Sequence, residues 1–122
     1  MKLHASAPSG AQVVTAYGDD YVTVNGVRYG ESIVLLPDRV QPWAARSFES
    51  LTEADFAALL QAGAEILILG TGAKQRFPHP RLTAPLARSG IGLEVMSLQA
   101  ACRTYNILVA EERKVAAALL FR

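Results

Sequence analysis

Apolar and polar positions alternate in short runs through the first third of the chain, and the period lengthens after residue 50. Ala11–Ala16 centres on Val13-Val14. Tyr21-Val22-Thr23-Val24 and Val27-Arg28-Tyr29 are β-branched and aromatic, the composition of a pleated, half-buried surface. Asn25-Gly26 separates these two runs. A type I′ turn needs positive φ at both central residues, so this pair predicts a β-hairpin. Ile33–Leu36 reads as a buried strand that stops at Pro37, and Pro37-Asp38-Arg39 reads as a turn. The segment holding Trp43 and Phe48 contains proline and reads as extended.

Helical spacing takes over at Asp55, Phe56, Leu59 and Leu60, among the helix-forming Ala54, Ala57, Ala58 and Ala62. Thr52 is placed to cap this helix with Asp55 as its capping-box partner, and Gly63 to end it. Ile66–Leu69 is continuously apolar, as in a strand covered on both faces. Pro80–Ser89 predicts a second helix, weakened by Pro85 and stopped by Gly90. Gly92–Met96 predicts a strand, and Ser97 caps a third helix through Asn106 to about Leu108. Glu111-Glu112-Arg113-Lys114 is a charged turn. The final run, Val115–Leu120, leans helical through Ala116-Ala117-Ala118. A tight turn before a short apolar run nevertheless suits a sheet-closing strand. Strands and helices in alternation predict an α/β fold, with N-terminal antiparallel hairpins and about three helices. No repeat or linker interrupts the chain, so residues 1–122 are expected to form one domain behind a loose segment, 1–10.

Composition narrows the function classes without choosing among them. At 122 residues the chain suits a single domain that needs no metal or disulfide staple. A hydrophobic share of 51% and a charged share of 19% are those of a globular chain. Twelve Lys+Arg against 11 Asp+Glu leave a net charge of +1, which supplies no electrostatic reason to expect nucleic acid or an anionic membrane. The one cysteine, Cys102, excludes an internal disulfide and a multi-cysteine metal site. The N-terminus lacks the apolar run of a signal peptide and the arginines of a mitochondrial presequence. No apolar stretch approaches the ~20 residues that span a bilayer. A cytoplasmic protein without cofactor is expected.

The candidate chemistry gathers at Gly70-Thr71-Gly72, the end of the apolar run Ile66–Leu69. Ligands of open α/β sheets bind outside the carboxyl ends of strands. Glycines let backbone N–H groups converge on an anion, and Lys74, Arg76 and Arg81 follow closely. The same glycines also serve a plain tight turn. The dinucleotide fingerprint is incomplete, with Gln75 where a third glycine belongs, and Lys74 is not in a Walker loop. Arg103, Asn106 and Arg113 are candidates to line the same cleft, although Asn106 also suits a helix C-terminal cap. His79 and His4 have no metal-ligand spacing and read as exposed. Cys102, well inside its helix, reads as a small buried hydrophobe rather than a thiolate. Trp43 reads as core or cleft wall.

Several stretches together resemble a known family. They are Val34-Leu35-Leu36-Pro37 with Val40 and Trp43, then Ile66–Gly72, then Gly90–Val95, then Ala100–Leu108 with Glu112–Leu119. The chain resembles, over roughly residues 15–120, the small proteins that include mitochondrial complex I (NADH dehydrogenase) assembly factor 3 and an adipogenesis-associated cytosolic relative. The resemblance implies a three-layer α/β fold with a mixed central sheet and a strand at Val115–Leu120. It implies no established enzyme activity, and it allows a monomer or a homodimer.

Two functions are therefore expected in competition. One is a non-catalytic binding or assembly-type protein with a protein partner. The other is a small-molecule binder or minor enzyme acting on an anionic ligand at the loop 70–76. For a ligand site the candidates are Gly70, Thr71, Gly72, Lys74, Arg76, Arg103, Asn106 and Arg113.

Overall fold

A computed structural model describes residues 3 and 7–122. Its first elements are β1 (Val14–Tyr17), β2 (Val22–Val24) and β3 (Val27–Tyr29), an antiparallel sheet in that spatial order. Asn25 and Gly26 adopt φ of 48° and 85°, the left-handed pair that the hairpin turn requires. The Asn25 side chain braces the turn: its Oδ1 accepts from Val13 N–H and its Nδ2 donates to the Ala11 carbonyl, both at 3.0 Å.

The second sheet contains β4 (Ile33–Leu36), β5 (Arg39–Pro42), β6 (Ile66–Thr71), β7 (Leu93–Met96) and β8 (Val115–Leu120), in the order β5-β4-β8-β6-β7. Strand β8 runs antiparallel to β4 and parallel to β6, so the sheet is mixed. Every residue of β8 is buried. Its side chains alternate between two cores. Val115, Ala117 and Leu119 face one core, built with β1, β2 and the helix α3 (Leu98–Ala110). Ala116, Ala118 and Leu120 face the other, which holds Trp43, Phe56 and Leu86. That second face is covered by α1 (Glu53–Ala58), a 3-10 turn at Leu59–Ala62, and α2 (Pro80–Arg88). The result is three layers: α1 and α2, then the mixed sheet, then α3 with the small sheet. Each fully buried Leu or Ile contributes about 1.5–3 kcal/mol, so the two faces of the sheet supply most of the driving force.

Local signals match the elements they form. Thr52 and Asp55 make a reciprocal capping box at α1, and Gly63 closes the following turn at φ 64°. Ser97 caps α3 through the N–H of Ala100. Alanine's helix propensity loses at 116–118, because small side chains between two strands let layers approach on both faces.

Several boundaries differ from expectation: β1 lies at Val14–Tyr17 rather than Ala11–Ala16, and the segment with Trp43 and Phe48 bends and turns after β5 instead of staying extended. Arg39 opens β5 instead of closing the turn, because it pairs with Leu36 across the β4–β5 ladder. Helix α3 continues to Ala110, where its end turns into Glu112 at φ 59°. Strand β6 runs through Gly70 and Thr71, which pair with Leu119 and Leu120, so the loop starts later than the glycine suggested. Of the segment expected to be loose, Leu3 donates to the Thr15 carbonyl at 3.1 Å and Ala7 packs on the core.

Gly70 is required by contact rather than by turn geometry. A Cβ there would stand 3.0 Å from both Ala101 Cβ and Leu119 Cδ2. Neither the rigid alanine nor the helix backbone behind it can swing aside. Gly70→Ala is expected to lower stability by about 1–3 kcal/mol through overpacking. Chemical denaturation measures this, and an unchanged midpoint would contradict the close approach of α3.

Candidate functional site

The carboxyl ends of β6 and β8 meet the start of β4 and the end of β5, because Leu119 pairs with Ile33 and Ile33 with Pro42. This edge of the sheet receives the loop after β6 on one side and an open groove on the other.

Thr71, fully buried, organises the loop. Its hydroxyl lies 2.6 Å from the Lys74 carbonyl and 3.2 Å from the Met96 carbonyl, and it accepts from Arg76 N–H at 3.0 Å. Gly72 turns at φ 83°, and a Cβ there would stand 3.4 Å from the Phe121 carbonyl. Its own carbonyl accepts from Leu98 N–H at 2.7 Å, which joins the loop to the start of α3. Arg76 folds back over the Phe48 ring, 4.4 Å from the centroid, and pairs with Glu49 at 2.7 Å. This ion pair is exposed enough to contribute little by itself. Lys74 is exposed, and Phe77 beside them is 71% exposed.

Asn106 and Arg113 do not join this loop. Asn106 is buried on the face of α3 that meets the small sheet. Its Oδ1 accepts from Val14 N–H at 2.9 Å and its Nδ2 donates to the Val14 carbonyl at 2.8 Å. It acts as a strand partner for β1, and helix capping is performed elsewhere. Arg103 is exposed on α3, five residues beyond the junction with Gly72, or about 7.5 Å along the helix axis. Arg113 precedes β8, whose Val115 pairs with Ile66 at the start of β6. It therefore lies at the opposite end of the sheet, beyond Ile66, which is on the order of 16 Å from Thr71 along the strand. There it lines a separate cavity of about 540 Å³ with Arg39, Asp38, Glu112 and Lys114. Lys74 and Arg76 follow Gly70, Thr71 and Gly72 in this loop, whereas Asn106 and Arg113 lie elsewhere.

His79 caps α2, accepting from Arg81 N–H at its Nδ1. His4 lies outside the described residues. Cys102 is buried, and desolvation pushes its thiol from 9.0 up to about 12. Tyr105, whose hydroxyl donates to the Gln12 carbonyl at 2.7 Å, is shifted upward, mainly by burial and further by Asp38. Among the described residues no His, Cys, Asp or Glu cluster is arranged for a metal ion. No helix among them is long and apolar enough to cross a membrane.

Sequence reasoning missed the groove on the other side of this edge. It measures about 820 Å³ and is lined by Arg28, Arg46 and Arg122, with Glu31 the one acidic side chain among its described lining residues. Trp43 forms part of both this wall and the core, donating its Nε1–H to the Asp55 carbonyl at 3.1 Å. No motif marks the three arginines, which come from three distant segments. The only hint was the hairpin that carries Arg28.

A family model described as protein of unknown function (DUF498/DUF598) matches residues 14–120. The chain belongs to this family. Similar proteins of known structure share the architecture. A Bordetella parapertussis crystal structure superposes with a TM-score of 0.83 at 41% identity, covering 93% of this chain and 98% of that one. The NMR structure of a Xanthomonas campestris protein superposes with a TM-score of 0.80 at 35% identity, covering 98% and 91%. NADH dehydrogenase [ubiquinone] 1 alpha subcomplex assembly factor 3 of Mus musculus is 34% identical over 112 residues, 90% of this chain and 60% of the mouse protein. The chain thus spans less than two thirds of that relative's length.

Two outcomes check the structural duties assigned here. Asn106→Ala strands the Val14 N–H and carbonyl and should lower stability by at least about 2 kcal/mol in thermal or chemical melts; a neutral result would contradict the clamp. The Cys102 thiol holds its proton more tightly when folded, so its contribution is constant below pH 9.0 and is lost as pH rises toward 12. Comparing the native chain with Cys102→Ala between pH 9 and 11 should show the steeper decline in the native chain; parallel curves would contradict it.

Proposed function

We propose that this chain is a non-catalytic binding protein of the assembly type, recognising a protein partner through the carboxyl-end edge of its mixed sheet. The observation that carries this reading is the division of labour at that edge. Thr71 is engaged in holding the loop, whereas Lys74 and the largely exposed Phe77 face outward beside Arg76. An exposed aromatic flanked by cations suits macromolecular contact, where aromatic and arginine side chains supply most of the binding energy. The mouse relative's name, an assembly factor, supports the same class of activity. In this reading the protein works in the cytoplasm, as a monomer or homodimer. The buried single thiol accords with a reducing compartment.

The alternative is a small anion held at the loop 70–76, favoured by the exposed Lys74 beside the Gly72 turn. It would rely on Lys74 and Arg76 without Asn106 or Arg113.

Affinity capture followed by size-exclusion chromatography separates the two. The native chain should co-elute with one protein at fixed stoichiometry, and the Arg76→Ala/Phe77→Ser double variant should retain at least about fivefold less of it. A chain that elutes alone, yet is stabilised against heat by phosphate in a Lys74-dependent way, would overturn the binding-protein reading in favour of the anion.

A further inference from the structure

The groove holding Arg28, Arg46 and Arg122 lies between two sheet margins. Strand β3 is the outer strand of the small sheet and β5 the outer strand of the large one, and Arg28, Tyr29, Val40 and Pro42 all line the space between them. Outer strands present backbone groups without a neighbour, which makes them templates for a further strand. The phase of the β4–β5 ladder shows which groups those are. Trp43 donates its N–H to the Ser32 carbonyl at 3.0 Å, one step beyond the Pro42–Ile33 pair. Bonded and non-bonded pairs alternate along an antiparallel ladder. Gln41 therefore turns its backbone toward β4, and Val40 turns its N–H and carbonyl to the open side. Pro42, next outward, offers a carbonyl alone, as is usual for proline in an edge strand.

Charge selects what could bind there. Arg28 is fixed by stacking on Tyr21, 3.7 Å from the ring centroid, while no described residue forms an ion pair with Arg46 or Arg122. Among the described lining residues Glu31 carries the only acidic side chain; Asp19 and Asp20 belong to the β1–β2 turn and are not part of the lining. The groove thus joins an open strand edge to three guanidinium groups that match carboxylates in charge and hydrogen-bond geometry.

We propose that this groove binds an extended, acidic segment of a partner protein, which adds as a strand to the outer edge of β5 through Val40 while its carboxylates meet Arg28, Arg46 and Arg122. Strand addition gives affinity through the main chain, and side-chain pockets supply selectivity. The proposal rests on the reading of the chain as a binding protein, but it uses a different surface from Phe77 and Arg76.

Panning phage-displayed random dodecamers on the native chain tests it directly, since the display supplies the candidate segments. Enriched sequences should carry several Asp or Glu and no central Pro. They should bind the Arg28→Glu/Arg46→Glu double variant at least tenfold more weakly, and weaken further as salt rises from 50 to 200 mM. Val40→Pro, which removes the outward N–H at an edge position that tolerates proline, should abolish binding while the amide NMR spectrum keeps its fold. With a synthetic enriched peptide, the Val40 and Tyr29 amides should shift. No enrichment, or enrichment of neutral or basic peptides, would overturn the proposal. So would displacement of the peptide by inorganic phosphate at equal concentration, which would make this a small-anion site. Self-association that blocks the groove would give it instead to a second copy of the chain. Peptide shifts confined to Lys74–Phe77 would overturn the groove assignment and leave the binding-protein reading standing.

Discussion

Burial of one strand on both faces is the constraint from which the rest of this structure follows. Strand β8 lies between an antiparallel and a parallel neighbour, and none of its six residues reaches solvent. A strand so placed must be apolar throughout and must find a layer on either side. Three consecutive alanines at its centre keep both layers close. Gly70, in the adjacent strand, extends the same thinness beneath α3. The helices α1 and α2 and the small sheet with α3 are thereby fixed as opposite covers of one sheet, and the sheet's carboxyl edge becomes the place where loops from several elements meet.

Tight layers leave little room for unsatisfied polar groups, and the chain's buried ones are committed accordingly. Among the described residues every buried side-chain nitrogen or oxygen has a hydrogen-bond partner. Asn106 replaces a missing strand beside Val14, and Thr71 gathers two carbonyls and an N–H at the root of its loop. Lys74, Arg46, Arg122 and Phe77 stay outward near this edge, beside the exposed acids Glu31 and Glu49. A net charge of +1 conceals this arrangement, because the acids sit largely at turns and helix starts, as with Glu53 and Asp55 in the first turn of α1.

Much of the fold was legible because its signals are local. Asn25-Gly26, the Thr52–Asp55 capping box and Ser97 each act within a few residues and do what their chemistry predicts. The ends of β6 and α3 were not legible, since they depend on pairing with β8 and on how closely α3 can approach Gly70. The candidate site was partly legible. A strand-end loop at 70–76 follows from glycine and apolar pattern, and the structure places Lys74 and Arg76 on it. Asn106 could not be assigned, because its partner is 92 residues away, and Arg113 was misplaced because a turn's charge says nothing about which end of the sheet it occupies. The arginine groove had no signature at all, as it is assembled from hairpin, edge strand and C-terminal segment.

The binding-protein reading puts the partner at the carboxyl edge of the sheet. Phe77 and Ile107 are both exposed, at 71% and 58%, but Ile107 lies on α3, toward the far end of that helix from the loop. Placing a photo-crosslinking benzophenone side chain at one position or the other in living cells compares the two surfaces directly. The account predicts a discrete protein adduct from position 77 and none from position 107. An adduct of equal yield from both, from position 107 alone, or from neither, would contradict it.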